Sequence, residues 1–401
     1  MKDTNKKMLF LGPLYPPERE NEIKNNSKIN ASNAPNVFQW NLLNGLSELL
    51  GDDLKVVNVL PVGTWPKFYR MRYLDDRDWQ YHNVHGQEIG CINLPFIKQY
   101  QRFRKVKRLL KRGAQGKSEI LIYSAYMPFL KAAFKLPTDV KITMIVTDLP
   151  EFYDLAKTTR LKKMLRSIQN RMIYKYLERV DRFVVLTDQM YEPLHIGNRP
   201  WLRMEGICDI NENQTAPALT DTKAILYTGT LNYQYGIKDL VRAFELIDVE
   251  NTELWICGSG EAENEIKNIA QKDSRIKFFG YCTQTEVTEL RSKAAVLVNP
   301  RSDKGEYTKY SFPSKTMEYM ASGKPVVMYK LAGIPDEYDE YLNYVQPSDR
   351  PTNQLAETLR TVLLNYDDAL AKAENAQVFV HENKGSIAQA KRLVTFIDGY
   401  S

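Results

Sequence analysis

Cysteine and histidine are scarce in this chain, with four of each among 401 residues. Cys91, Cys208, Cys257 and Cys282 lie far apart with no CxxC pair, and His82, His85, His195 and His381 have no ligand spacing. Neither a disulfide framework nor a zinc site is indicated. Long apolar runs are missing as well. No stretch approaches the roughly 18 apolar residues a spanning helix needs, and "KKMLFLGPLYPP" offers too short an apolar run before Gly12 for a secretory core. The expectation is a cytoplasmic protein that crosses no membrane. No aromatic-rich basic strand or recognition-helix signature accompanies the charge, so nucleic acid is not an expected partner. The triplet Asp76-Arg77-Asp78 has the form of a DxD motif but sits in a charged stretch of the first half; it reads as surface, and no metal is expected. Nothing in the sequence speaks to oligomeric state.

What is present is enough for two domains. Four hundred residues exceed one ordinary core, and 43% hydrophobic with 26% charged residues is the composition of a soluble globular protein. The net charge of +6 hides an asymmetry: residues 1–205 carry +13 and the rest −7. The basic excess gathers in two segments of helical periodicity. In 97–117, Ile97, Tyr100, Phe103, Val106 and Leu110 recur at three- and four-residue steps among nine Lys/Arg and no acid. In 160–182, Leu161, Met164, Leu165, Ile168, Met172 and Tyr176 form a similar stripe with six cations beside it. Such helices suit an anionic membrane surface, where each near-surface cation contributes on the order of 1 kcal/mol; the plainer alternative is a stripe packed on a sheet with a solvated outer face.

Short apolar runs alternate with helical patterns along the whole chain. "MLFLG" (8–12), "LKVVNVL" (54–60), "EILIYSA" (119–125), "KITMIVTD" (141–148) and "RFVVLTD" (182–188) read as buried parallel strands. After the polar connection 209–222, the pattern restarts with "AILYTG" (224–229), "ELWICG" (253–258), "RIKFFG" (275–280), "AVLVNP" (295–300) and "KPVVMY" (324–329). This predicts an α/β protein of two doubly wound, Rossmann-like domains, 1–208 and 209–380, facing a central cleft. A C-terminal helix over 381–401, with Ile387, Ala390, Val394 and Ile397 on one side, is expected to pack back across both. The polar stretch 12–36 is expected to be a long loop at the cleft lip, with Asn33 and Asn36 as candidate contacts.

The most informative stretch is "KYSFPSKTMEYMASGKPVV" (309–327). Ser314 reads as an N-cap and Gly323 as the stop of a short helix. Ser314 and Lys315 then offer a hydroxyl, an ammonium and N–H groups at the positive helix end. Glu318, one turn further on the same face at roughly 5–6 Å, suits two vicinal hydroxyls. A diphosphate and a ribose meet those requirements, as does a capped surface helix whose Glu pairs with Lys. Gly229-Thr230 and Gly258 end strands where backbone could approach an anion. Arg301 follows another strand end. Asp148 and Glu151 lie just past a strand of the first half, either to orient a hydroxyl or as a cap with its first-turn acid.

"PSKTMEYMASGKPVV", preceded by "VLVNPRS" and followed by "LAGIPDEY", resembles the donor-site signature of family 4 retaining glycosyltransferases, which have the GT-B fold. "ILYTGTLNYQYGIKDLVRAF", "LWICGSGE" and "IKFFGYCTQTEV" match the same family in order and spacing, while "RVDRFVVLTDQM" and "MEGICDINE" resemble the end of its first domain. The resemblance implies a nucleotide diphosphate sugar, a UDP-sugar being the expected donor, held by the second domain, and a saccharide or lipid-linked saccharide acceptor held by the first. It implies that Glu318 binds the ribose hydroxyls, that Gly229 and Thr230 lie against the diphosphate, and that the backbone near Tyr281 and Cys282 meets the base. The chain departs from the family at three places. Tyr310 stands where a second Glu usually touches the donor sugar, and Thr230 and Tyr235 stand where an Arg and a Lys usually clamp the diphosphate. Arg301, Lys315 and Lys309 are the candidate replacements, with Arg301, Lys315 and Asp148 the expected catalytic residues. Such an enzyme would act in cell-surface polysaccharide biosynthesis, in the cytoplasm or on the inner face of the membrane. A sugar-nucleotide epimerase of similar fold and a non-catalytic nucleotide-sugar scaffold are the alternatives.

Overall fold

The computed structural model describes residues 7–28, 33–113, 119–137, 140–152, 160–208, 222–303 and 305–400. The connection expected at 209–222 therefore lies almost wholly outside the described residues. The chain divides into two compact units, Met1–Ile207 with Ser386–Ser401, and Cys208–Gly385.

The first unit contains β1 (Met8–Gly12), α1 (Glu20–Asn26), α2 (Ala34–Leu50), β2 (Leu54–Asn58), β3 (Tyr73–Leu74), β4 (Arg77–Tyr81), β5 (Val84–Glu88), β6 (Cys91–Ile92) and α3 (Ile97–Gly113). It continues with β7 (Glu119–Tyr123), α4 (Met127–Ala133), β8 (Lys141–Val146), α5 (Arg160–Leu177), β9 (Arg182–Val185) and β10 (Trp201–Arg203). Eight strands form one sheet in the order β10-β9-β8-β7-β1-β2-β5-β4, parallel except for the edge hairpin β4–β5. All five residues of β7 and all four of β9 are buried, so both faces of the sheet are covered, as a continuous apolar strand requires. The stretch 12–36 is not simply a loop: α1 forms within it, and α2 begins at Ala34. Arg19 ties this region down through ion pairs with Glu22 and the buried Glu88.

The second unit holds β11 (Lys223–Thr228), α6 (Ile237–Glu245), β12 (Thr252–Cys257), α7 (Glu263–Ala270), β13 (Ile276–Gly280), α8 (Gln284–Lys293) and β14 (Val296–Asn299). It ends with α9 (Ser314–Ala321), β15 (Val326–Tyr329), β16 (Asn343–Val345), α10 (Pro351–Leu364) and α11 (Tyr366–Lys384). Its six strands are all parallel, in the order β13-β12-β11-β14-β15-β16. The order reverses at β11, which has β12 on one side and β14 on the other. Open parallel sheets bind ligands beyond the carboxyl ends of strands at such a reversal.

The last helix, α12 (Ser386–Gly399), belongs to the first unit and packs on α2. Ala390, Leu393 and Ile397 are buried with Leu42, Leu43 and Leu46, and burying each such Leu or Ile contributes about 1.5–3 kcal/mol. Ile387, expected on the packed side, is exposed, and Leu393 takes the inner position.

Candidate functional site

Three neighbouring strand ends of the second unit are locked together by backbone. Gly229 N–H donates to Cys257 O at 3.0 Å, and Gly258 N–H donates to Gly280 O at 2.7 Å. A Cβ on Gly258 would lie 1.8 Å from Gly229 O, a distance no side chain tolerates, so the sequence needs glycine there. Gly236 adopts φ 79°, and its own Cβ would meet Pro300 O at 2.1 Å. The loops after β11, β12 and β14 thereby close on one another with bare backbone between them.

Helix α9 points its first turn at this junction. Its N-cap is Pro313, extended at φ −67° and ψ 108°, and Ser314 is the first helical residue with no capping bond from its side chain. The expected cap is thus shifted by one: Pro313 O already accepts Thr316 N–H at 2.9 Å, and the exposed Ser314 hydroxyl is left facing outward. Lys315 Nζ donates to Thr228 Oγ1 at 3.2 Å, and its Cε lies beside Gly229. Thr228 Oγ1 is also 3.0 Å from the Tyr319 hydroxyl, which accepts Thr228 N–H at 3.2 Å. Tyr319, four residues after Lys315 and almost fully buried, fixes the end of β11 on which Lys315 rests. Glu318 lies between them, its side chain 40% exposed and one carboxylate oxygen 3.7 Å from the Arg291 guanidinium, itself buried in α8.

Arg301 occupies the end of the next strand, β14. Its Nη2 donates to Ser311 Oγ at 3.1 Å, and its guanidinium lies over the rings of Tyr307 at 4.8 Å and Tyr235 at 5.8 Å. Among the described residues, neither Arg301 nor Lys315 has a carboxylate partner. Two cations at adjacent strand ends, held by hydroxyls and aromatic faces, offer a net positive charge to an anion.

The remaining candidates sit around this pair. Thr230 is exposed, and its carbonyl accepts the Tyr227 hydroxyl at 2.8 Å; burial pushes the Tyr227 phenol far above its usual range, which keeps it a donor. Tyr281 is exposed beyond β13, and the half-buried Cys282 thiol turns back towards Gly280 O at 3.7 Å. Burial, with Cys282 alongside, pushes the Cys257 thiol up to about 12, so it stays protonated. Tyr310 closes a short turn, Glu306–Tyr310, that leads into α9. The structure brings Gly229, Gly258, Lys315 and Arg301 to one end of the sheet, with Glu318 one turn along α9. Asp148 belongs to the first unit, exposed just past β8 and accepting Thr147 Oγ1 at 3.2 Å. Glu151 accepts the Tyr174 hydroxyl at 2.9 Å. Asn33 and Asn36 accept the Tyr15 hydroxyl and Tyr15 N–H. Asp76 accepts Lys105 Nζ and Gly90 N–H, an anchoring role. Among the described residues no three His, Cys, Asp or Glu side chains converge in a metal-binding group.

Arg291 and Tyr319 were not singled out by sequence reasoning. Tyr319 had a signal, the i+4 spacing from Lys315 that puts both on one face. Arg291, in "TELRSKAA", looks like any solvated helix cation.

The family model for glycosyl transferases group 1 matches residues 222–365. An uncharacterized glycosyltransferase of Methanocaldococcus jannaschii is 24% identical over 196 residues, 47% of this chain and 49% of that protein, so the chain spans about half the length of the curated relative it matches. Among solved structures, sucrose-phosphate synthase from Thermosynechococcus elongatus superposes with a TM-score of 0.66 at 16% identity, covering 98% of this chain and 100% of that one. The α,α-trehalose-phosphate synthase of Burkholderia xenovorans, in complex with glucose-6-phosphate, gives 0.67 at 13% identity over 98% and 100%. Anabaena HepE, in complex with UDP and glucose, gives 0.62 at 14% over 98% and 99%.

Proposed function

Proceeding from a divergent chain of GT-B fold whose second unit matches the group 1 glycosyl transferases, we propose that it transfers a sugar from a nucleotide diphosphate sugar to a glycan or lipid-linked saccharide. The observation that carries this reading is the pair Lys315 and Arg301, two cations without a carboxylate partner among the described residues, at neighbouring strand ends where β11 reverses the sheet order.

In this reaction the bond between the anomeric carbon and the leaving diphosphate oxygen breaks, a bond to the acceptor oxygen forms, and negative charge builds on the diphosphate. Preorganised cations and N–H groups aimed at that charge give the largest catalytic effect a protein can supply. Lys315, Arg301 and the first turn of α9 fill this role. Arg301 lies over the ring of Tyr235, the position where the family usually has a Lys, so a cation is supplied there from a different strand. Glu318 accepts from the ribose hydroxyls, Gly229 and Gly258 let the diphosphate approach backbone, and the stretch at Tyr281 and Cys282 lies against the base. With retention of configuration, the acceptor attacks from the face the diphosphate leaves, and the departing phosphate oxygen takes the acceptor proton. No side-chain base is then required, and Asp148 serves to orient the acceptor. UDP is the favoured nucleotide, since the Anabaena relative is solved with UDP, and cell-surface polysaccharide assembly is the setting proposed.

One observation favours the scaffold reading: Thr230, Tyr235 and Tyr310 stand at three positions where the family has charged groups. A thermal-shift screen against UDP, GDP, ADP, CMP and dTDP and their sugars separates the two, because a ligand that binds only the folded state raises Tm with occupancy. The transferase reading expects a shift with one nucleotide diphosphate, then release of that nucleotide from its sugar only when a saccharide acceptor is added. Binding with neither hydrolysis nor transfer across an acceptor panel would establish the scaffold instead.

A further inference from the structure

The first unit holds an open groove of about 740 Å³ between α3 and the β3–β6 pair. Leu74 and Cys91, both buried, form its floor. One wall is a single face of α3, where Ile97, Tyr100, Gln101, Arg104 and Arg108 follow one another at helical spacing over about 16 Å. The opposite face of the helix is the packed one. Lys98, Arg102, Val106 and Leu110 are buried there, and the two cations donate to Val62 O and Leu60 O. Ile97 and Tyr100, expected on the same apolar stripe as Val106 and Leu110, are exposed instead. Gln101 Oε1 accepts Ile92 N–H at 2.7 Å, and Lys105 Nζ donates to Gly90 O at 3.0 Å, so the helix is pinned beside β6 and the groove has a fixed shape.

Three large aromatic side chains stand around this groove in water. Phe96 is 87% exposed, Tyr100 58% and Tyr73 57%, and exposed apolar groups clustered in this way mark a binding surface. Two of the rings are backed by guanidinium groups. Arg72 lies 5.5 Å from the rings of both Trp65 and Tyr73, and Arg104 lies 5.7 Å from that of Tyr100, so these rings are oriented before any ligand arrives. The polar lining carries both signs. Among the described residues Arg104 and Arg108 have no carboxylate partner, and the side chain of Asp75 makes neither an ion pair nor a hydrogen bond. Lys105 is already paired with Asp76.

These features select an occupant with apolar C–H faces and hydroxyl edges. The negative face of an aromatic ring attracts the weakly positive C–H hydrogens of a sugar ring. Each sugar hydroxyl donates and accepts at once, and a groove with arginine donors beside a carboxylate acceptor complements it. A phosphate chain only accepts, and Asp75 repels it. An extended peptide would add to a strand edge, but β3 and β6 are two residues each. We propose that the groove is a binding site for a saccharide chain, with Tyr73, Phe96 and Tyr100 stacking on sugar rings and Asp75, Arg104 and Arg108 meeting their hydroxyls. Taking the polyol to be a saccharide rests on the transferase reading, while the groove itself belongs to the first unit and the nucleotide site to the second.

Binding of the full chain to an immobilised array of neutral and uronate-containing oligosaccharides tests it, with poly(U) RNA and phosphatidylglycerol vesicles as competing probes. The expected result is retention of at least one oligosaccharide more strongly than RNA or vesicles. Tyr73→Ala/Tyr100→Ala should lower that affinity about tenfold or more, and Asp75→Ala about 2- to 10-fold. All three positions are solvent-exposed, so thermal melting should be unchanged. No oligosaccharide bound, or native binding by the tyrosine variant, overturns the site, as does stronger retention of RNA or vesicles. Native binding by Asp75→Ala removes the hydroxyl contact that chose a sugar over a polyanion and overturns it equally. UDP binding by calorimetry, measured on the same variants, should stay native. A chain that binds UDP and no oligosaccharide loses the groove and keeps the transferase reading; one that binds oligosaccharide and no nucleotide does the reverse.

Discussion

Replacing Glu318 by Ala separates a ligand-binding carboxylate from a structural one. Its structural partner is Arg291 at 3.7 Å, beyond hydrogen-bond length, and its own side chain is 40% exposed. Solvent screening holds such a pair to about 1 kcal/mol or less, so the loss should lower Tm by only a few degrees. A ribose bound at this carboxylate makes charge-assisted hydrogen bonds, and losing them should cost about 1.5–3 kcal/mol of nucleotide affinity, or about 10- to 150-fold in Kd. Titration calorimetry with the nucleotide that gives the largest thermal shift reads the affinity, and differential scanning calorimetry reads the stability. A Kd within a factor of about two of the native value in a folded variant refutes the ribose role. A large fall in Tm with no loss of affinity would instead make Glu318 the counter-charge that keeps Arg291 buried.

The other expectations probe separate links in the argument. Lys315→Ala should lower kcat about 10²- to 10³-fold, as loss of one charge-stabilising donor does, with a smaller change in donor affinity; a pure affinity loss would argue against a role at the leaving group. Gly258→Ala should destabilise the second unit by about 1–3 kcal/mol and abolish nucleotide binding, since its methyl would strike Gly229 O; native Tm and native affinity together would show that the strand ends are not locked as described. Burial pushes the Lys98 ammonium down to about 7, below its unfolded value, so above pH 7 the unfolded chain holds the extra proton and stability rises with pH. Between pH 7 and 9 this should add roughly 2 kcal/mol, and urea unfolding of Lys98→Met should lack that increment; identical pH dependence in both proteins would contradict it.

Much of the architecture is written in short apolar runs. Each run read as a buried strand, from "MLFLG" to "KPVVMY", coincides with a strand to within a few residues, because parallel strands covered on both faces need uninterrupted apolar side chains. The hairpin β4–β5 escaped notice because β4 is the edge, where "RDWQY" keeps polar side chains in water, and because "VHGQE" in β5 buries a charged Glu88 against Arg19 in place of an apolar run. At the proposed nucleotide site, local spacing singled out Lys315 and Glu318, which share a helix face. The partners that orient them come from elsewhere in the chain: Thr228 lies 87 residues before Lys315, and Arg291 reaches Glu318 from another helix. Burial of a charged side chain, as at Arg291 or Lys98, is a property of the assembled fold and leaves no mark in composition. The Pro313 cap was misread because Ser314 is the better capping residue by type, whereas the extended backbone that a cap requires falls on the proline.

Because α12 completes the first unit, the order of synthesis and the order of folding cannot coincide. The strands of that unit leave the ribosome first, yet the apolar face of α2 stays open until Ala390, Leu393 and Ile397 arrive, after the whole second unit has been made. Arg182, buried against Glu119, also waits for Tyr400 O, its partner at 2.7 Å. A nascent chain paused between the units thus carries an unfinished core, which makes it a natural client for chaperones, and a stop codon shortly before Ser386 would damage the first unit more than the second.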